Sequence, residues 1–195
     1  MTQTELTEFA TRYAAAWSSQ TPDELASFYA VDGSLTVNDG DPSVGRAAIA
    51  AKAGAFMDAF PDMVVQLDSV SQEGDHATFH WVWTGTNSGP GGTGRSVHIR
   101  GYEEWTFDAD GLIAKSKGHY DEAEYERQMS VVCSESFYRM IEEKLSTGDG
   151  AGHGPDLGSD EWKSVVEFKL GIRGEPGVPD RDSDDWCGYI EQILR

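Results

Sequence analysis

Residues 76–87, HATFHWVWTGTN, decide how the chain is read. Ala77, Phe79, Trp81 and Trp83 alternate with His76, Thr78, His80 and Val82, the period of two expected of a strand with one buried face. MVVQLDSVSQ (63–72), SVHIRGYEEWTF (96–107) and LIAKSKGHY (112–120) have the same strand character, separated by the turn-rich EGD, NSGPGGTGR and DADG. These four segments predict a meander of long antiparallel strands.

Upstream the period changes. In TELTEFATRYAAAWSS (4–19), Leu6, Phe9, Tyr13 and Trp17 recur at three and four residues, one helical stripe, with Thr4 as the expected cap. TPDELASFYA (21–30) opens a second helix with Thr21 as cap, Pro22 at the first position and Glu24 completing a capping box. After a short strand in DGSLTVNDGD (32–41), GRAAIAAKAGAFMDAF (45–60) is a third helix stopped by Pro61. Three helices followed by a meander predict an α+β domain with helices on one face of a curved sheet.

Past Met129 an internal repeat emerges. SESFYRMIEEKL (134–145) aligns without gaps to SDEWKSVVEFKL (159–170) and SDDWCGYIEQIL (183–194). Each unit reads Ser, acid, any residue, aromatic, then Ile or Val, Glu and Leu or its equivalent. This predicts three short helices capped by Ser134, Ser159 and Ser183. Three turns cannot bury a Trp and Leu stripe alone, so they must pack on one another or on a partner. The expected organisation is residues 1–129 as the α+β domain and 130–195 as the helical repeat segment.

Acidic residues outnumber basic ones 34 to 15, a formal charge of −19 spread over both parts. Such a surface repels nucleic acid and anionic membranes at long range. The start of the chain shows neither a basic leader nor an apolar core of signal length, and no stretch of about 18 apolar residues occurs, so the expectation is a cytoplasmic protein. Cys133 and Cys187 are too few for a disulfide framework, and with five scattered histidines they show no metal-ligand spacing. No metal and no cofactor are expected. GPGGTG (89–94) sits between strands and lacks a P-loop lysine, which makes it a hairpin loop.

The helix, helix, strand, helix, meander order resembles the SnoaL-like polyketide cyclase and ketosteroid isomerase group within the cone-shaped nuclear transport factor 2-like fold. The resemblance is carried by VGRAAIAAKAGAFMDAFPD (44–62), GTNSGPGGTGR (85–95), GYEEWTFDADGLI (101–113) and HYDEAEYERQM (119–129), and it covers residues 4–129. It implies a cavity between sheet and helices. The aromatics Trp17, Phe56, Phe79, Trp81, Trp83 and Trp105, with Asn87 at the rim and Lys117, would contact a hydrophobic, polycyclic or polyketide-like ligand.

The same resemblance assigns candidate chemistry. Tyr13 in RYAAAW matches the enolate-donating tyrosine of the isomerases, and Glu103 falls near their protonated acid. The isomerase base position holds Val37 or Asn38 instead, with Asp39 and Asp41 in the turn beyond. The cyclases place their acid/base at the end of the last strand, where Asp121 stands, with His119 two residues earlier to orient it. The expected reaction is proton transfer beside a carbonyl, as in aldol cyclisation or isomerisation.

Structural roles compete with each of these. Asp121 with Glu124 is a capping box, Tyr13 a core aromatic, and Glu103 an ion-pair partner for Lys117 or Arg100. Hydration chemistry, which the fold also hosts, would need an arginine between carboxylates, and Arg100 has the wrong parity. The alternative function is a non-catalytic binding or assembly protein whose repeats dock a protein partner. The outer sheet face implies a homodimer.

Overall fold

A computed structural model describes residues 1–148 and 154–194. The chain divides into two compact units, Met1–Met129 and Ser130–Arg195.

The first unit opens with α1 (Gln3–Ser18), whose stripe of Leu6, Phe9, Ala10, Tyr13 and Trp17 is buried. Its cap is Thr2 in a full capping box with Glu5, two residues before the expected Thr4. In α2 (Pro22–Ala26) Pro22 takes the first turn, but Thr21 makes no side-chain capping bond. α3 (Arg46–Ala59) buries Ile49, Ala53 and Met57, spaced four apart, and ends before Pro61.

Six strands form one sheet: β1 (Tyr29–Val37), β2 (Ser43–Val44), β3 (Val64–Glu73), β4 (His76–Thr86), β5 (Ser96–Phe107) and β6 (Ile113–Tyr120). The order is β2-β1-β6-β5-β4-β3. β3 to β6 are the antiparallel meander, while β1 runs parallel to β6, a departure from a purely antiparallel sheet. Pairing shifts at Leu67/Ser69 and beside Ala114 bend the strands. The core lies between the helices and the inner sheet face, where Tyr13, Tyr29, Phe79, Trp105 and Ile113 are wholly buried. α4 (Glu122–Met129) follows β6 directly and packs Tyr125 and Met129 against this core.

The second unit is α5 (Glu135–Leu145), α6 (Asp160–Leu170) and α7 (Asp184–Leu194), one helix per repeat. Ser134 and Ser159 cap their helices, each hydroxyl accepting from the backbone three residues on. Ser183 differs, its hydroxyl donating to the Asp180 carbonyl. Phe137, Ile141, Trp162, Val166, Trp186 and Ile190 form a separate core. The repeat also sets its polar bonds: Glu142 accepts from Trp162 Nε1 at 2.8 Å, and Glu167, at the same repeat position, accepts from Trp186 Nε1 at 2.9 Å. The glutamates of the first two units thus each bind the next unit's tryptophan.

Cys133 and Cys187 are bonded to each other across 54 residues, with Cα atoms 5.5 Å apart. The sequence reading did not anticipate this, because two distant cysteines carry no spacing signal. Among the described residues, no helix is long and apolar enough to cross a membrane.

Candidate functional site

Inward residues of the sheet, with Trp17 from α1 and Phe56 from α3, enclose one cavity in the first unit. Its wall is Trp17, Leu35, Val37, Phe56, Met63, Val65, Trp81, Trp83, Glu103, Gly118 and Tyr120. It leaves about 60 Å³ for the centres of water-sized molecules. One water needs roughly 10–15 Å³, and an engineered cavity that takes up benzene measures about 150 Å³. The expected flat polycyclic ligand is larger than this space.

Glu103 is the only carboxyl on this wall, 5% exposed. Alternation along β5 points Ile99, Glu103 and Trp105 inward, as expected. Three donors converge on one of its oxygens: to Oε2, Tyr13 donates at 2.9 Å, Trp105 Nε1 at 2.9 Å and Ser116 at 2.6 Å. The single phenolic proton of Tyr13 being so used, Tyr29 donates to the Tyr13 oxygen at 2.7 Å. Among the described residues, none donates a hydrogen bond to Oε1. Neither Lys117 nor Arg100 pairs with Glu103; Arg100 lies outside the sheet, 3.6 Å from Asp68.

Burial raises the Glu103 pKa above the ordinary glutamate value, with the bonds from Ser116, Trp105 and Tyr13 opposing. Tyr13 and Tyr29 are pushed well up, by burial first and by the Glu103 charge second. Both phenols stay protonated at neutral pH. When Glu103 is neutral, Oε2 is saturated by donors, so its proton resides on Oε1.

Two glycines shape the wall beside Glu103. A Cβ on Gly101 would lie 2.4 Å from Trp81 Cζ2, so the indole occupies the place a side chain would take. On the other flank, Gly118 stands in register with Glu103 and lines the cavity.

The end of β6 departs from the sequence reading. Strict alternation from Ile113 would put Lys115, Lys117, His119 and Asp121 on the inward face. The pairing of β6 with β5 instead shifts between Ile113 and Lys115, a bulge at Ala114. One extra residue reverses the parity, so Ser116, Gly118 and Tyr120 face inward. His119 is outside, stacked on Tyr102 at 4.6 Å with Nε2 3.1 Å from Glu104. Lys117 sits opposite Glu104, away from the cavity. Asp121 is exposed, and its Oδ1 accepts from Glu124 N at 3.0 Å as the cap of α4.

Of the remaining candidates, Trp17, Phe56, Trp81 and Trp83 line the cavity. Phe79 and Trp105 are buried beneath it, stacked at 4.9 Å, and Tyr13 packs on both. Asn87 is spent on its loop: it donates to Ala59 O and accepts from Thr93 N. At the isomerase base position Val37 lines the cavity, and Asn38 accepts from Tyr120 N and donates to Glu122. Sequence reasoning missed Ser116, Gly118 and Tyr120 because they follow the bulge. Among the described residues, no cluster of three or more His, Cys, Asp or Glu could hold a metal ion.

The model of the SnoaL-like domain matches residues 10–116. No curated protein matches the chain. Three similar solved structures share the fold of the first unit. A proposed SnoaL-like polyketide cyclase from Jannaschia sp. CCS1 is 19% identical, with TM-score 0.58, covering 65% of this chain and 92% of its own. A hypothetical protein with a ketosteroid isomerase-like fold from Catenulispora acidiphila, in complex with trimethylamine, is 21% identical with TM-score 0.57, covering 63% and 92%. AclR, a proposed hydroxylase from Streptomyces galilaeus, is 20% identical with TM-score 0.57, covering 66% and 97%. The family model spans more than half of the chain, which belongs to the SnoaL-like family.

Proposed function

We propose that the first unit binds a mainly apolar carbonyl compound and moves a proton at the carbon beside the carbonyl, with Glu103 as acid and base. The observation that supports this is the asymmetry of the Glu103 carboxyl. Oε2 is saturated by three donors, and Oε1 is left for the cavity.

In the forward step, carboxylate Oε1 takes the α-proton and the C–H electron pair becomes the C=C bond of an enolate. The charge collects on the carbonyl oxygen. The neutral acid then returns its proton, to another carbon of the conjugated system in an isomerisation or to the new alkoxide after an aldol closure. Atoms and electrons balance without a co-reactant. A raised pKa brings donor and acceptor strengths closer, as general acid/base catalysis requires. This reading moves the acid/base role from Asp121, which the α4 cap holds in solvent, to Glu103. It makes Tyr13 a positioning group for Glu103 in place of an enolate donor.

Deuterium uptake at the α-carbon of simple aromatic ketones in D2O, followed by NMR, tests the assignment without knowledge of the natural substrate. Wild-type protein should accelerate uptake, Glu103→Gln should lower the rate about a hundredfold or more, and Asp121→Asn should match wild type. The reverse pattern would return the role to Asp121. No acceleration by wild type would leave a binding protein.

A second reading, a repeat unit that docks a protein partner, is favoured by Phe168, which is 69% exposed on α6. Its check is a cross-linking comparison of wild type and Phe168→Ser in cell extract. Identical cross-link patterns would remove it.

A further inference from the structure

We infer that the indole N–H groups of Trp81 and Trp83 are the hydrogen-bond donors for the ligand's carbonyl oxygen, which makes them binding and specificity residues of the cavity. This rests on the reading of a carbonyl compound held beside Glu103, and it adds which part of the wall holds the oxygen.

Among the described residues, three buried side-chain nitrogens or oxygens lack a hydrogen-bond partner: Trp81 Nε1, Trp83 Nε1 and Arg95 Nε. Two of the three lie on one wall of one cavity, at successive inward positions of β4. The tryptophans outside the cavity wall are different: Trp105, Trp162 and Trp186 each donate Nε1 to a glutamate. A buried indole N–H without an acceptor costs on the order of 1–3 kcal/mol, and native chains keep few such groups. Both unpaired donors belong to residues of the cavity wall.

The register places these donors suitably. Trp81 pairs with Gly101 and Phe79 with Glu103, so Trp81 and Glu103 are diagonal neighbours on the inner face. Diagonal neighbours stand about 7–8 Å apart at the backbone, within reach of long side chains. A carbonyl oxygen on the indole and the adjacent α-carbon at Glu103 Oε1 then share one ligand. Neither N–H is open to solvent. Trp83 is stacked on Tyr125 at 5.9 Å and edge-on to Phe60 at 4.9 Å, and Trp81 lies over Gly101. The ring separation that admits a ligand also uncovers the donors. A site built this way selects a ketone over its hydrocarbon isostere, because only the ketone pairs the indoles.

Acetophenone and ethylbenzene are the probes, nearly equal in shape and differing in the acceptor. Titration of the full chain should show acetophenone binding more tightly than ethylbenzene, although water solvates the ketone better. In Trp81→Phe or Trp83→Phe the affinity ratio should move toward ethylbenzene by about tenfold, roughly the worth of one hydrogen bond. A second measurement on wild type stands if either variant misfolds. The Trp81 and Trp83 indole proton resonances should shift downfield with acetophenone and not with ethylbenzene. Equal affinities, no binding of either probe, or indole resonances indifferent to the ketone would overturn the inference. Discrimination between the two probes by a wild-type protein that does not accelerate α-deuteration, or whose α-deuteration persists in Glu103→Gln, would sink the proton-transfer reading and leave this one standing.

Discussion

At the scale of single residues, Glu103 joins the fold to the proposed function. Its folded pKa is raised, so between the ordinary glutamate value and that raised value the folded state holds a proton that the unfolded chain has released. The sign follows: stability is highest below the ordinary value, about 4.3, and falls as pH rises through the folded value. Glu103→Gln keeps an oxygen to accept from Tyr13, Trp105 and Ser116 and removes the ionisation. The variant should therefore match wild type in melting temperature near pH 4 and exceed it at pH 8; a constant difference would mean that Glu103 does not titrate in the fold. This residue was legible from alternation alone, since Glu103 is the one acid among Ile99, Trp105 and Phe107. Its donors were only half legible. Tyr13 sits on a readable helical stripe, while Ser116 lies past the bulge.

At the scale of elements, β6 shows where sequence reading stops. A bulge at Ala114 leaves no mark in LIAKSKGHY, because every residue there is compatible with either parity. The shift sends His119 and Asp121 to solvent and brings Gly118 and Tyr120 to the cavity. β2, two residues long, and the parallel pairing of β1 with β6 were invisible for a related reason: both are set by long-range contacts and not by local period. Helices and long strands were readable because their apolar stripes repeat many times. On this account Asp121 is an element-terminating residue. Asp121→Ala should cost about 1 kcal/mol in urea unfolding, the usual worth of a cap, without changing ligand affinity. Unchanged stability with lost binding would show that the capping description is incomplete.

At the scale of the whole molecule, two units carry separate cores. The second is held by repetition: a glutamate in one helix binds the tryptophan of the next, and Glu167 also takes Arg181 in a bidentate pair. Those bonds from Arg181 hold the Glu167 carboxyl below its ordinary range. Glu167→Ala strands a partly buried guanidinium and an indole N–H, and should destabilise this unit by about 3 kcal/mol. Hydrogen exchange would show the loss confined to residues 130–194 if the units melt independently. The repeat itself was readable, because its spacing recurs within one residue; the Trp-to-Glu pairing was not, since it depends on how neighbouring helices face each other. For the molecule's central claim, that Glu103 exchanges a proton with whatever the cavity holds, the direct measurement is the pH profile of α-deuteration set beside the NMR titration of the Glu103 side-chain carboxyl. Uptake should rise with pH along the same midpoint, above the ordinary glutamate value, and vanish in Glu103→Gln. A profile that ignores the Glu103 titration, or persists in the glutamine variant, would contradict it.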